Sequence, residues 1–290
     1  MYLTGASASA VQGLSAFTSL ASIDLNAPST DTLELQALNA LPCLYDLFLE
    51  DGIFTDVYIG SSLTQLNIIN CQVLCSGDTA HAAGLQDLTV MDSTLSLLHA
   101  GLAACTALRS LHVADCSVAA ALAQDSLSLG PDRQLCVPLG ISALARLSTL
   151  QISLDSVNTK HFELNWMYSL QSLISLDVLV EGSFDVNQDF TQLRNLTYLE
   201  LCVANDDDAA SYDIDWSAMQ TLKQVCLMGP VVFNEKMLHL TKLMSLDTLS
   251  LWNLRPRQAT ASHLARLAYK MATHCSGVAL KFIIDGDSVA

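Results

Sequence analysis

Nine cysteines and seven histidines give this 290-residue chain the side chains for metal binding or nucleophilic catalysis. Their spacing supplies neither. Cys71 and Cys75 are four residues apart, but no second Cys or His pair stands near them at zinc spacing. The acidic run Asp206, Asp207, Asp208, Asp213 and Asp215 has the oxygen ligands calcium needs. It lacks the Gly at position 6 and the Glu at position 12 of an EF-hand loop, and it reads as a solvated loop or a docking point for a basic partner. His81, His99, His161, His239, His263 and His274 fall outside the strand positions derived below. No serine occupies a G-x-S-x-G turn, and no glycine loop could cradle phosphate. The expectation is a protein with no catalytic residue, no cofactor and no metal.

The elements that position every side chain come from one repeated phrase, L-x-x-L-x-L. It begins at Leu20, Leu44, Leu63, Leu85, Leu108, Leu147, Leu173, Leu196, Leu222 and Leu246. Eight of the ten copies carry further apolar residues three and six places upstream, as in Met167-Leu170-Leu173-Leu176-Val178. Apolar residues at positions 4 and 6 alternate, the period of a strand with one buried face. The three-residue spacing before them suits a helical or 3₁₀ turn. Each unit is therefore a short strand plus a return segment, and its apolar face is buried only by stacking on its neighbours.

Successive copies are 24, 19, 22, 23, 39, 26, 23, 26 and 24 residues apart. On this phrase and period the chain resembles a leucine-rich repeat protein from about Leu14 onward. The resemblance implies an α/β solenoid: a curved horseshoe with a parallel sheet on the concave face and helical or 3₁₀ segments on the convex face. It implies a single domain over residues 1–290 with about 10–11 repeats. An irregular or inserted repeat is expected at about 117–140, around Gly130-Pro131-Asp132, and a helix–strand cap at about 262–284. No comparable cap is visible at the N-terminus, so the chain reads as part of a longer protein. Cys105-Thr-Ala-Leu108-Arg-Ser-Leu111-His-Val113-Ala-Asp-Cys116 fits C-x-x-L-x-x-L-x-L-x-x-C, the cysteine-containing subtype associated with F-box proteins. The uneven repeat lengths also leave a plant- or algal-like pattern open. Cys71, Cys105 and Cys116 then occupy positions where small buried side chains belong.

Positions 3, 5 and 7 of each strand point away from the core. On the concave face they present Asp24, Asp46, Phe48, Glu50, Asn67, Ile69, Thr89, Met91, His112, Gln151, Asp177, Leu179, Glu200, Met228 and Trp252 as candidate partner-binding residues. The N-terminal end of this face is acidic, and the position-7 column is apolar at Ile69, Met91, Leu179, Met228 and Trp252. An apolar strip rimmed by polar groups is the composition of an interface, with Phe48 and Trp252 as aromatic anchors.

The net charge of −16 is unevenly placed. Residues 1–221 hold five Lys and Arg against 25 Asp and Glu, whereas residues 222–290 hold eight against four. An acidic body disfavours nucleic acid and anionic membrane, and calls for a neutral or basic protein partner. The uncharged stretch Val57 to Gly77 is interrupted by eight Ser, Thr, Asn and Gln residues, too polar for a membrane span. Met1 to Ala21 has no basic n-region or continuous apolar core, so it does not read as a signal peptide. The odd cysteine count without terminal clusters reads as reduced thiols and a cytoplasmic or nuclear protein. The function expected is protein–protein interaction, in one version as the substrate-recognition part of an F-box-like ubiquitin-ligase adaptor. The alternatives are an extracellular receptor or adhesion ectodomain and a purely structural scaffold.

Overall fold

A computed structural model describes residues 1–27, 32–55, 57, 60–74, 79–95, 102–114, 141–154, 169–180, 185–186, 190–203, 210–212, 214–229, 231–232, 235–254, 260–274 and 277–284. The expected irregular repeat at about 117–140 lies outside the described residues. They divide into two compact units, one running to Leu147 and the other starting at Ser148.

The repeat phrase has a direct hydrogen-bond equivalent. In all ten copies the amide of position 1 donates to the carbonyl three residues earlier, from Leu20 to Phe17 through Leu246 to Leu243, at 2.8–3.4 Å. This i→i−3 bond is the defining contact of a 3₁₀ turn, and it explains why the upstream apolar residues are three apart. Leu170, Leu193, Met219 and Leu243 project from these turns into the core. Phe17, at the same place in the first copy, is 55% exposed instead.

In the first unit the strands are β1 (Tyr2–Thr4), β2 (Ser22–Asn26), β3 (Thr32–Glu34), β4 (Asp46–Glu50), β5 (Ile53–Thr55), β6 (Gln65–Ile69), β7 (Gln72–Leu74), β8 (Asp87–Met91), β9 (Thr94–Leu95) and β10 (Ser110–Ala114). Strands β1, β2, β4, β6, β8 and β10 pair in parallel in that order. They hold one register, so that Asp24, Phe48, Asn67, Thr89 and His112 face one another across the ladder. Strands β2, β4, β6 and β8 each alternate buried residues with half-buried or exposed ones, as one-sided burial requires.

Two features here extend beyond the repeat phrase. Strand β1 adds a parallel edge strand ahead of β2, with Leu3 opposite Leu25, and helix α1 (Ala8–Gly13) follows it, capped by Ser7. The array therefore starts before Leu14, and the N-terminal end does carry a strand and a helix. A second parallel ladder, β3–β5–β7–β9, runs on the far side of a sharp turn. Its centre buries Leu33, Phe54 and Val73.

That turn has a chemical cause. Position 8 of the phrase is left-handed at Asp51 (φ 55°), Asn70 (φ 51°) and Asp92 (φ 48°). Asn and Asp tolerate this region better than other residues with a Cβ. Cys71 and Ser93 follow in the next position. The Cys71 amide donates to Ser93 Oγ at 3.0 Å, and the Cys71 thiol donates to the Ile69 carbonyl.

The second unit holds β11 (Thr149–Leu154), β12 (Ser175–Val180), β13 (Asp185–Val186), β14 (Tyr198–Val203), β15 (Ala210–Tyr212), β16 (Gln224–Met228), β17 (Val231–Val232), β18 (Thr248–Leu254) and β19 (Ala279–Ile284). Strands β11, β12, β14, β16, β18 and β19 form its parallel ladder, and β13–β15–β17 its second ladder. Gly229 takes the left-handed role at position 8 (φ 115°). A Cβ there would stand 2.3 Å from the Val203 carbonyl oxygen, so glycine is the residue that fits. Helix α2 (Thr260–His274) buries Leu267 and Met271 and leads into β19.

Candidate partner-binding faces

Each of the fifteen candidate residues lies on the open side of its ladder, and each is partly exposed. Ala114 and Ser153, also at position 7, are covered. The two units present different surfaces.

On the first unit the acidic corner is organised by amides and a hydroxyl. Ser22 Oγ donates to Asp46 Oδ2 at 2.9 Å, and Asn26 Nδ2 to Glu50 Oε2 at 2.9 Å. Asp51 accepts from Asn26 at 3.3 Å and from Asn70 at 2.7 Å, so its carboxylate ties successive repeats together. Asp24 Oδ1 is buried without a hydrogen-bond partner. Desolvation first, and then the Glu50 carboxylate, raise the Asp24 pKa. Beside this corner Phe48, Ile69 and Met91 supply partly exposed apolar surface.

On the second unit, register places Leu179, Cys202, Met228 and Trp252 in one row on neighbouring strands. The adjacent row is Gln151, Asp177, Glu200, Cys226 and Ser250, and β19 extends it to Lys281. The Lys281 ammonium sits 4.2 Å from the centre of the Trp252 ring, a cation–π contact. The Trp252 indole N–H is buried without a hydrogen-bond partner. Tyr198 donates its hydroxyl to Glu200 Oε2. Burial and this bond to a carboxylate raise the Tyr198 pKa. Lys281 and Tyr198 are the residues that motif reading missed. The alternation Ala279-Leu280-Lys281-Phe282 continues the strand pattern without its leading leucine, and it is the signal that points to Lys281.

Asp177 and Glu200 stand side by side on paired strands. Desolvation, reinforced by the Glu200 charge, pushes Asp177 up to about 6. A carboxyl whose folded pKa is raised contributes stability in full below its unfolded pKa and loses it as pH rises through the folded pKa. The affected window is therefore about pH 4 to 6. Asp177→Asn should raise the thermal midpoint relative to wild type at pH 8 and give no advantage below about pH 4. Melting curves at the two pH values test this, and a constant offset between the proteins would refute the shifted carboxyl.

Burial also decides the cysteine chemistry. Desolvation pushes the Cys71 and Cys105 thiols up to about 11 each. Both therefore stay protonated near neutrality, as packing groups rather than nucleophiles. Cys43, Cys71, Cys105, Cys202 and Cys226 carry free thiols. Among the described residues no three His, Cys, Asp or Glu side chains gather as a metal set. No helix among them is long and apolar enough to cross a membrane. Cys116 and the run Asp206 to Asp208 with Asp213 lie outside the described residues. Asp215 caps the 3₁₀ turn Trp216–Ala218, accepting from the Ser217 amide at 3.1 Å and its hydroxyl at 2.6 Å.

The fold these ladders and turns define is the leucine-rich repeat solenoid. The plant peptide hormone receptor RGFR1, in complex with RGF2, has a similar fold, with a TM-score of 0.50 at 13% identity over 94% of this chain and 42% of the receptor chain. This chain therefore spans less than half the length of that receptor. Internalin C2 of Listeria monocytogenes matches with a TM-score of 0.44 at 18% identity, over 77% of this chain and 84% of its own. The Leptospira interrogans LRR protein LIC12759 gives 0.44 at 13% identity, over 93% and 73%. No family model and no curated protein matches the sequence. Leucine-rich repeat folds typically serve as protein-binding modules and are usually non-catalytic.

Proposed function

We propose that this chain is a non-enzymatic module that binds a protein or peptide on the open face of its strands. The observation that carries this reading is the row Leu179, Cys202, Met228 and Trp252, apolar side chains in register on consecutive strands of a solvent-facing surface. The Asp177–Glu200 pair borders it on the next row. Four consecutive apolar residues on the outer side of a sheet weaken solubility unless something covers them. Trp252 adds a large, partly exposed apolar surface, a feature of an interface anchor. The bordering carboxylates favour a neutral or basic occupant over nucleic acid. The plant receptor of similar fold is itself a peptide hormone receptor solved with RGF2.

The test compares proteins captured by wild type with those captured by Phe48→Ala and Trp252→Ala variants of matched stability. Loss of specific partners with either variant supports the reading. An unchanged set of partners with both removes the open face from binding.

A finer version, supported by the C-x-x-L-x-x-L-x-L-x-x-C match around Cys105, is substrate recognition within a ubiquitin-ligase adaptor in the cytoplasm or nucleus. It calls for a ligase subunit to copurify with the full parent protein. The rival, a receptor or adhesion ectodomain outside the cell, calls for oxidised cysteines. Counting thiols in the denatured protein separates the two: nine reactive groups fit the first, and several disulfides the second.

A further inference from the structure

The Lys and Arg of this acidic chain are concentrated toward its C-terminal end, and four of the eight in residues 222–290 meet around one cleft of about 390 Å³. Lys236, His239 and Lys242 line it from the 3₁₀ segment Glu235–Lys242, and Arg266 and Lys270 from α2. Local geometry sets both rows. A 3₁₀ helix has three residues per turn, so positions 236, 239 and 242 stack on one edge at intervals of roughly 6 Å. In an α-helix the same three residues would fan across about 120°. On α2, residues 266 and 270 are four apart and share a face, again about 5–6 Å from each other. The cleft thus has one wall with Lys236 and Lys242 on either side of His239, and a second wall with Arg266 and Lys270.

We propose that this cleft is a second binding site, for an extended peptide segment carrying Asp or Glu at alternate positions. Alternate residues of an extended chain project to one side at intervals of roughly 6.7 Å. Acidic side chains of such a strand match Lys236 and Lys242 with His239 as a polar group between them, while Arg266 and Lys270 close on them from the other wall. The chain already places one carboxylate beside the middle of the row: Asp215 Oδ1 lies 4.0 Å from His239 Nδ1. Its pKa is lowered, chiefly by its bonds to Ser217 and further by the charges of His239 and Lys242. A nucleic acid duplex needs a longer basic track than this chain offers, since residues 1–221 carry five Lys and Arg against 25 Asp and Glu. The cleft is separate from the row of Trp252, so the proposal stands or falls independently of binding on the open face.

The experiment is fluorescence anisotropy on the full chain, with a short labelled peptide bearing Asp at alternate positions. Wild type should bind it, more weakly as salt rises. Lys242→Glu/Arg266→Glu, a double reversal at two exposed residues, should weaken binding by about tenfold or more. Trp252→Ala should leave it unchanged. Circular dichroism on the double variant confirms that the fold survives. The proposal is overturned if the peptide does not bind, or if the folded double variant binds as well as wild type. It is equally overturned if a peptide with the same Asp residues contiguous, inorganic phosphate or a DNA duplex binds as tightly with the same dependence on the two residues.

Discussion

Truncation of Trp216 to alanine is expected to destabilise the second unit by about 3–5 kcal/mol, the range for removing a large aromatic side chain from a packed core. Among the described residues Trp216 is the largest fully buried side chain, and it opens the 3₁₀ turn that Asp215 caps. Ile214, Met219 and Leu222 around it in sequence are all buried, so the loss leaves a cavity rather than a surface that water can fill. Its indole N–H has no hydrogen-bond partner. Phenylalanine keeps most of the ring volume and discards a buried donor that gains nothing from the fold. Trp216→Phe should therefore cost much less than Trp216→Ala. Urea denaturation followed by circular dichroism compares them, and equal losses would mean that the indole nitrogen is bonded after all.

The second large effect is expected at position 4 of the repeat. Leu199 is fully buried between Leu176 and Val225 on the adjoining strands, and Leu199→Ala should cost about 2–5 kcal/mol. Its neighbour Glu200 points to the open face. Glu200→Ala removes the acceptor of the Tyr198 hydroxyl but also relieves the repulsion with Asp177. The two changes oppose each other, so a net effect of about 0.5 kcal/mol or less is expected, as at an ordinary surface site. The same denaturation midpoints measure both variants. Comparable losses at residues 199 and 200 would place the strand in the wrong register.

The main ladder was legible because a single period decides it. Leucine at positions 1, 4 and 6 states which side of each strand is buried, and register follows once equivalent positions align, as Asp177 does with Glu200. Less legible was whatever depends on single residues rather than on the period. Strand β1 lacks the phrase and is held by its pairing with β2. The second ladders are two- and three-residue strands, too short for alternation to register. Their signal is the left-handed Asp, Asn or Gly at position 8, seen at Asp51, Asn70, Asp92 and Gly229. The open-face residues could be named from the pattern, because facing is periodic. The Lys281–Trp252 contact could not, because it depends on a strand without the motif. The basic cleft lay further from view, since Lys242 and Arg266 belong to different elements brought together only by folding.

The unstaggered register has a consequence for how such a surface can change. Each outward row advances by one side chain per strand, at about 4.8 Å. Gain or loss of a whole repeat would lengthen or shorten the row in that fixed step and leave the neighbouring side chains in their places. A one-residue slip within a strand would instead exchange inside for outside along its whole length. Duplication can thus extend the surface like added beads on a string, while point insertions in the strands are barred. The loops between strands remain the places where length can vary.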